Sequence, residues 1–470
     1  MTLTRRPAPS GSAAADAGAV ADAVDELAAF AVGLKYSALP AAVRDRLALM
    51  LTDLWGVAAA GGNTAEVQAL AAAWQAGAGP SPVLGTRLHT GAETAAFLNA
   101  VAACALELDE GNKHAQGHPA VHVVFAAMAA VQLAPRPVSG SDFLTAVAAG
   151  YEVAARFGRA LTRDPRWHTH GHWGATGAAC AAALIRGLPA AQVAAAIDAA
   201  AGLVHAAPWA MVLDGQYTRN LWAAGANLAG LNAARLAAAG LAGNHGAAAA
   251  TLGTLAGTLD PAELTRGLGR DWLLARGYAK LHSSCSYTHG AVDLALELRR
   301  QGFDPAEVAE IRVLTHSLAA PLFTVEATNR LSAMFSFPFV VANALLQGEI
   351  SPASMEPGSS GFDAARKLSA KVTVTASPEY DRLLPGQRRT GMEIHWIDGT
   401  VAAAEAPNPR GDVDYYPLDR SGIRAKLTGL IGAGPADRLD QTVHGLPGDR
   451  DAAAVLNNLT ALIRMEGQEL

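Results

Sequence analysis

The chain has little cysteine, little charge and no long uninterrupted apolar run, and each shortage closes off a class of protein. Three cysteines in 470 residues, Cys104, Cys180 and Cys285, are odd in number and far apart. That spacing excludes a disulfide framework and a CxxC metal site, and it fits a reducing compartment. Charged residues make up 17% of the chain and the net charge is −6, with lysines and arginines scattered rather than gathered into a stripe. Nucleic acid is therefore not an expected partner. Apolar stretches such as residues 121–135 are too short for a bilayer, so no membrane partner is expected either. Arg5-Arg6 is followed by Pro, Ser and Gly instead of the apolar run an export signal needs, which predicts a cytoplasmic protein. No glycine-rich dinucleotide loop follows a strand, and neither a Gly-Lys-Ser/Thr phosphate loop nor a GxSxG elbow occurs. Nothing requires a nucleotide cofactor.

What the chain has is alanine. Hydrophobic residues reach 51%, and runs such as Ala247 to Ala250 are frequent. Alanine is the strongest helix former and lets helices approach closely, so a compact, mainly α fold is expected. At this length two domains are the default. Residues 1–16, rich in Pro, Ser, Gly and Ala, predict a frayed tail. From about residue 19 to 274 the pattern is one of successive helices broken by Gly and Pro, with no alternating strand. Val43, Leu47, Leu51, Leu54 and Val57 mark a helix over 41–60, and others are expected over 92–108, 119–133, 141–161, 175–186, 190–203, 223–239 and 243–255. The character changes after Gly277. Residues 310–315 and 371–375 alternate polar and apolar, and 392–397 meets Asp398-Gly399, a type I′ hairpin signal because Gly tolerates positive φ. With helical stretches at 289–300 and 338–346, this region predicts a small α/β domain, after which helical pattern returns over 419–464 to pack on the first domain.

Four polar islands interrupt the apolar background. The first runs Asp109-Glu110-Gly111-Asn112-Lys113-His114, followed by His118-Pro119 and His122. Pro119 suits the first turn of a helix, which places His118 where free N–H groups and the dipole attract a carboxylate. A capped, solvated interhelical loop explains the same residues, and on spacing alone it has the edge. The second is His168, His170 and His172 between Trp167 and Trp173. It reads as an apolar pocket with several acid/base groups, or as metal ligands with Asp109 as a fourth. The third, Tyr217-Thr218-Arg219-Asn220, offers a planar guanidinium for a carboxylate, though one Arg at a helix start is commonly structural. The fourth compresses Lys280, His282, Cys285, Tyr287 and His289 at the domain junction. Junctions form clefts, and a desolvated lysine there can have its pKa lowered enough to act as a base. A polar hinge with Cys285 as a small buried residue is the plainer alternative.

In chain order these islands resemble the MmgE/PrpD family, which includes 2-methylcitrate dehydratase, cis-aconitate decarboxylase and iminodisuccinate epimerase. Leu108-Asp109 through His118-Pro119 is similar to its LD-x-D-D…HP segment, and His168 through Ala179 to H-P-x-G-x-x-G-x-x-G-A-A. Thr218 through Trp222 sits where the family has T-K-x-L-H, and Lys280 through His289 resembles K-x-x-P-x-C-R-x-T-H-P. Phe335-Ser336-Phe337-Pro338-Phe339 and Pro409-Arg410-Gly411-Asp412 match two later segments. The resemblance implies a large all-helical domain from 17–276 and 410–470, with a smaller α/β lid domain inserted over 277–409 and the active site between them. It also implies a homodimer without metal or organic cofactor, acting on a small carboxylate. Carried over by position, Asp109, His118, His168 and Lys280 are the catalytic candidates. Asn112, Lys113, His114, His170, Tyr217, Arg219, His282 and Cys285 are the substrate-binding candidates.

Three departures stand out. Arg219 replaces a Lys, Gly111-Asn112-Lys113 replaces acidic and Thr positions, and Ser286 replaces the motif Arg, removing one anion-binding charge. They point away from 2-methylcitrate, toward a substrate with fewer carboxylates. The expected chemistry is proton abstraction beside a carboxylate, with Lys280 or His168 as base. Dehydration is the leading outcome, and epimerisation or decarboxylation are alternatives on the same scaffold. A metal hydrolase built on His168, His170, His172 and Asp109 is the rival of another class, and a binding protein without turnover is a third.

Overall fold

The computed structural model of the chain is described over residues 12–463; the expected tail over 1–16 falls outside these for residues 1–11, and the first helix begins at Ser12. The protein is mainly α-helical. Helices Ala41–Gly62, Ala92–Cys104, Pro119–Gln132, Gly140–Ala160, Gly174–Ile185, Ala190–Ala201 and Thr218–Ala238 pack around one alanine-rich core. Small residues set the helix spacing. A Cβ on Gly177 would lie 2.2 Å from the Gly150 carbonyl oxygen, and one on Gly230 would lie 2.4 Å from Ala178 Cβ. Helices Arg420–Ile431 and Ala433–Gly445 return to pack on Ala41–Gly62, where Leu427 lies against Gly56. There Lys426 Nζ reaches Asp53 Oδ1 at 2.7 Å.

A second core forms around a four-stranded sheet of order Val372–Ala376, Val308–Thr315, Thr390–Trp396, Val401–Ala406. The first pair is parallel and the others are antiparallel. Ile311, Val313, Met392 and Ile394 point inward under helices His289–Arg300 and Phe337–Gln347. The hairpin between the last two strands turns at Gly399, φ 87°. Trp209 and Trp222, from the helical part of the chain, belong to this second core and join the two bodies.

The helical half also contains strands that periodicity did not predict. Ala78–Pro82 pairs with His89–Thr90, and Leu161–Arg163 pairs with Gly257–Leu259. Ribbons this short carry too few alternating positions to register as a pattern. The helix expected over 243–255 is a single turn at Ala247–Thr251 followed by a wider turn over Leu252–Ala256. Among the described residues no helix is long and apolar enough to cross a membrane.

Candidate active site

The helix expected over 92–108 stops at Cys104, and that early stop shapes the site. Beyond it Glu107 takes a left-handed backbone, φ 53°, while 1% exposed. A non-glycine residue in that region costs about 1–2 kcal/mol, so other contacts must hold it there. Gly111 then exchanges two backbone hydrogen bonds with Tyr278, its N–H donating at 3.1 Å and its carbonyl accepting at 2.7 Å. This bridge needs a glycine: a Cβ at Gly111 would lie 2.4 Å from the Tyr278 ring. It also draws the first polar island against the fourth, bringing Asp109 to Lys280.

Four buried charges meet at this point. Lys280 Nζ lies 3.1 Å from Glu107 Oε2 and 3.5 Å from Asp109 Oδ1, while Arg219 pairs with Glu107 from the other side. Burial alone would lower the Lys280 pKa. The two carboxylates outweigh burial and hold it above its ordinary value. The expectation of a lowered, basic lysine is thus reversed: Lys280 is a cation and a proton donor. Arg219 donates to the Cys104 carbonyl and to Asn220 Oδ1, both at 3.1 Å, and to His170 Nε2 at 3.3 Å. Its fork holds neighbours in place and keeps only Nε without a partner.

The histidines divide by tautomer. His118 Nδ1 approaches the Glu110 carbonyl at 2.7 Å. A carbonyl can only accept, so Nδ1 carries the proton and Nε2 is left as a lone pair. Burial and then Lys280 push the His118 pKa well down, so the ring is neutral at pH 7. Asp109 Oδ2, 3.3 Å from the same Nδ1, supports this orientation. His168 is the opposite case. The His170 backbone N–H donates to His168 Nδ1 at 3.2 Å, so Nε2 bears the hydrogen. Burial and then Arg219 keep this ring neutral as well. Trp209, Trp222 and Phe335 wall it, with ring centroids 4.6, 5.8 and 6.2 Å away. His170 stacks between His118 and His168, 4.9 Å from each. Asp109, His118, His168 and Lys280 are therefore one connected cluster.

Most of the other candidates are committed elsewhere. Asn112 donates to Tyr151 and to the Leu273 carbonyl, and accepts from the His114 and Ala115 N–H groups. Lys113 pairs with Asp412 and Asp414 at 3.0 and 2.7 Å. His114, half-buried beside Arg276, is pushed down to about 4, chiefly by burial. Tyr217 donates to Glu66 at 2.6 Å, and His282 is tied to Asp293 at 2.9 Å. Burial raises the Cys285 thiol to about 11, which keeps it un-ionised. His172 feels Arg163, His122 and His205, and its own charge bears on His168. His122 is satisfied at both nitrogens, by the His118 carbonyl and the Gly171 N–H.

Sequence reasoning missed Glu107 and gave Glu110 no role. Glu110 accepts from Tyr151 and from the Ala120 N–H, yet burial pushes it up to about 8. The signal for Glu107 was present: an acidic residue inside the otherwise apolar run over 100–108.

A metal would find a different ligand set from the expected one. Ligand atoms of Asp109, His118 and His170 lie within 4.8 Å of one another, and this is the group of three that the described residues offer. Two buried cations border it, Lys280 at Asp109 and Arg219 at His170. Their repulsion of a dication favours proton chemistry at this position.

The same segments are matched when the chain is compared with known proteins. Residues 25–266 match the MmgE/PrpD N-terminal domain, and residues 282–443 match the MmgE/PrpD C-terminal domain. The chain belongs to the MmgE/PrpD family. A cis-aconitate decarboxylase-like protein of Aspergillus oryzae is 26% identical to it, over 94% of this chain and 97% of that protein. Glu107, Asp109 and Arg219 fall within the N-terminal match, and Lys280 lies in the stretch between the two matches.

Proposed function

We propose that this MmgE/PrpD protein is a cofactor-independent lyase that removes a proton from the carbon beside a carboxylate of a small organic acid, in the manner of a dehydratase. The observation that carries the reading is the pairing of a neutral His118 Nε2 lone pair with a cationic Lys280 in one buried cluster. His118 takes the proton from carbon. Lys280 stabilises the enediolate-like charge that develops, where fixed charges act most strongly because water is excluded. The electron pair of the broken C–H bond forms the new double bond as the C–O bond on the next carbon breaks. His168 Nε2–H stands ready to protonate the departing hydroxyl, which leaves as water.

Decarboxylation is the second reading, favoured by the likeness to the cis-aconitate decarboxylase-like protein of Aspergillus oryzae. There a C–C bond would break, and the pair left by CO₂ would be taken up by a proton from Lys280 or His168. Return of a proton to the opposite face would give an epimerase instead. On the family resemblance, residues 277–409 act as a lid and the working form is a cytoplasmic homodimer.

The deciding experiment is incubation in D₂O with hydroxy, amino and unsaturated di- and tricarboxylates, followed by NMR. A new alkene signal supports dehydration, and loss of a carboxyl carbon supports decarboxylation. Exchange alone supports epimerisation. No change with any substrate, or stoichiometric zinc or iron surviving dialysis and required for turnover, would remove the reading.

A further inference from the structure

Glu107 meets Lys280 and Arg219 from a left-handed backbone, a conformation that a glutamate does not favour by itself. The carbonyls on either side of it are each held by a side chain from a distant part of the chain. Ser283 Oγ donates to the Leu106 carbonyl at 2.6 Å, and Lys426 Nζ donates to the Leu108 carbonyl at 3.0 Å. Both donors are buried, and a buried carbonyl that lost its donor would pay the full cost of desolvation. The side chains of Leu106 and Leu108 meet Val57 in a small apolar cluster of their own, with Leu430 packed against it. The chain before and after Glu107 is thus pinned by hydrogen bonds and by packing. Turning Glu107 back to an ordinary φ would pull one of the two carbonyls off its donor.

The donors are themselves fixed. The Ser283 N–H donates to the Ile350 carbonyl at 2.8 Å, which sets the hydroxyl three residues beyond Lys280. Lys426 projects from helix Arg420–Ile431 and also donates to Asp53 of helix Ala41–Gly62. Ser283 and Lys426 lie within the C-terminal family match, whereas Glu107 lies within the N-terminal one. The motif that residues 280–289 resemble has Pro where Ser283 stands. Proline has no hydroxyl to give, so the contact with Leu106 is a feature of this chain.

We infer that Ser283 and Lys426 are positioning residues, which hold Glu107 in its left-handed conformation and so keep its carboxylate on Lys280. They act through Glu107 and not on the substrate. Their bearing on turnover rests on the proton-abstraction reading; their hold on Glu107 does not. The charges around Lys280 give the idea a sign. Glu107, Asp109 and Tyr278 favour the Lys280 cation, whereas burial, Arg219 and Lys426 disfavour it.

The chain has six lysines, so NMR of isotope-labelled lysine resolves Lys280, assigned by its loss in Lys280→Arg. Ser283→Ala changes no charge. With Glu107 released, the Lys280 midpoint should fall by about one pH unit or more, the scale of losing a carboxylate from hydrogen-bond reach. Turnover should drop about tenfold with KM near that of wild type, because the acid/base groups are displaced while the substrate contacts remain. Lys426→Met separates positioning from simple charge. Removing a cation that repels Lys280 would by itself raise the midpoint, so a fall reports the movement of Glu107. Should Lys426→Met fail to fold because Asp53 is stranded, Asp53→Asn with Lys426→Met removes both charges, loses the Leu108 contact and should show the same fall. An unmoved midpoint in Ser283→Ala, or an unmoved or raised one in the folded Lys426 variant, would overturn the positioning. Lowered midpoints in a protein that exchanges no proton of any acid in D₂O would keep the positioning and sink the catalytic reading. Exchange by a wild type whose variants keep their midpoints would do the reverse.

Discussion

Lys280 Nζ lies 3.1 Å from the carboxylate of Glu107, and Glu107 adopts a left-handed backbone to place it there. After burial, which lowers it, Glu107 is the largest influence on the Lys280 pKa, and it raises it. Glu107→Gln removes that charge while keeping shape and hydrogen-bonding atoms. The Lys280 pKa then falls, and the alkaline limb of the kcat profile should move to lower pH. Exchange or turnover rates measured across pH check this. An unmoved limb would mean that Lys280 does not supply the charge or proton in the rate-limiting step.

His118 and His168 are separable by what replaces them. His118 works through a lone pair, so both His118→Ala and His118→Asn should cost on the order of 10²-fold or more in proton exchange. His168 works through an N–H. His168→Asn, which keeps a donor, should therefore retain more activity than His168→Ala. The acidic limb of the wild-type profile should also lie below the ordinary imidazole value, because His118 is held neutral by burial and Lys280. Equal losses in the two His168 variants, with rescue at His118→Asn, would exchange the two roles.

The buried histidines make the fold itself sensitive to acid. His118, His168, His170 and His289 are held well below their ordinary pKa, and His122 and His172 at about 4, all chiefly by burial. Between those values and about 6.5 the unfolded chain binds more protons than the folded one, so stability falls as pH falls. Glu110, raised to about 8, works the other way, as do the raised Asp53 and Glu152, but these are three groups against nine once the lowered His114, His205 and His316 are added. The urea midpoint should drop steadily from pH 6.5 towards 4. A flat or rising midpoint would show that these rings are hydrated in solution.

Much of this was legible in the sequence, for identifiable reasons. The helices announced themselves because Val43, Leu47 and Leu51 face one core, and period 3.6 is a strong signal. The strands at Val308–Thr315 and Thr390–Trp396 alternate because only one face is buried. The polar islands stood out because acids and histidines have no packing role inside an alanine-rich body. Direction of effect was not legible. Spacing offers Lys280 burial without revealing Glu107, so the expected sign of its pKa shift was opposite to the one found. Which histidine holds a lone pair depends on single contacts such as the Glu110 carbonyl to His118, and no periodicity encodes those.

Lys113 is the candidate whose role the geometry changes most. Its ammonium donates to the Gly386 carbonyl at 3.0 Å and pairs with Asp412 at 3.0 Å, with both side chains buried. Asn408 holds the same turn, donating to the Gly386 carbonyl and accepting the Arg388 N–H. Lys113 thus ties the first polar island to the turn that carries Arg388. Lys113→Met keeps the stem but leaves Asp412 buried without its cation, which should cost about 3 kcal/mol of stability. Adding Asp412→Asn removes the stranded charge and should recover much of the stability, a coupling that a double-mutant cycle of urea midpoints reads directly. A lysine that bound substrate itself would behave differently: KM would rise with stability unchanged, and Asp412→Asn would recover nothing.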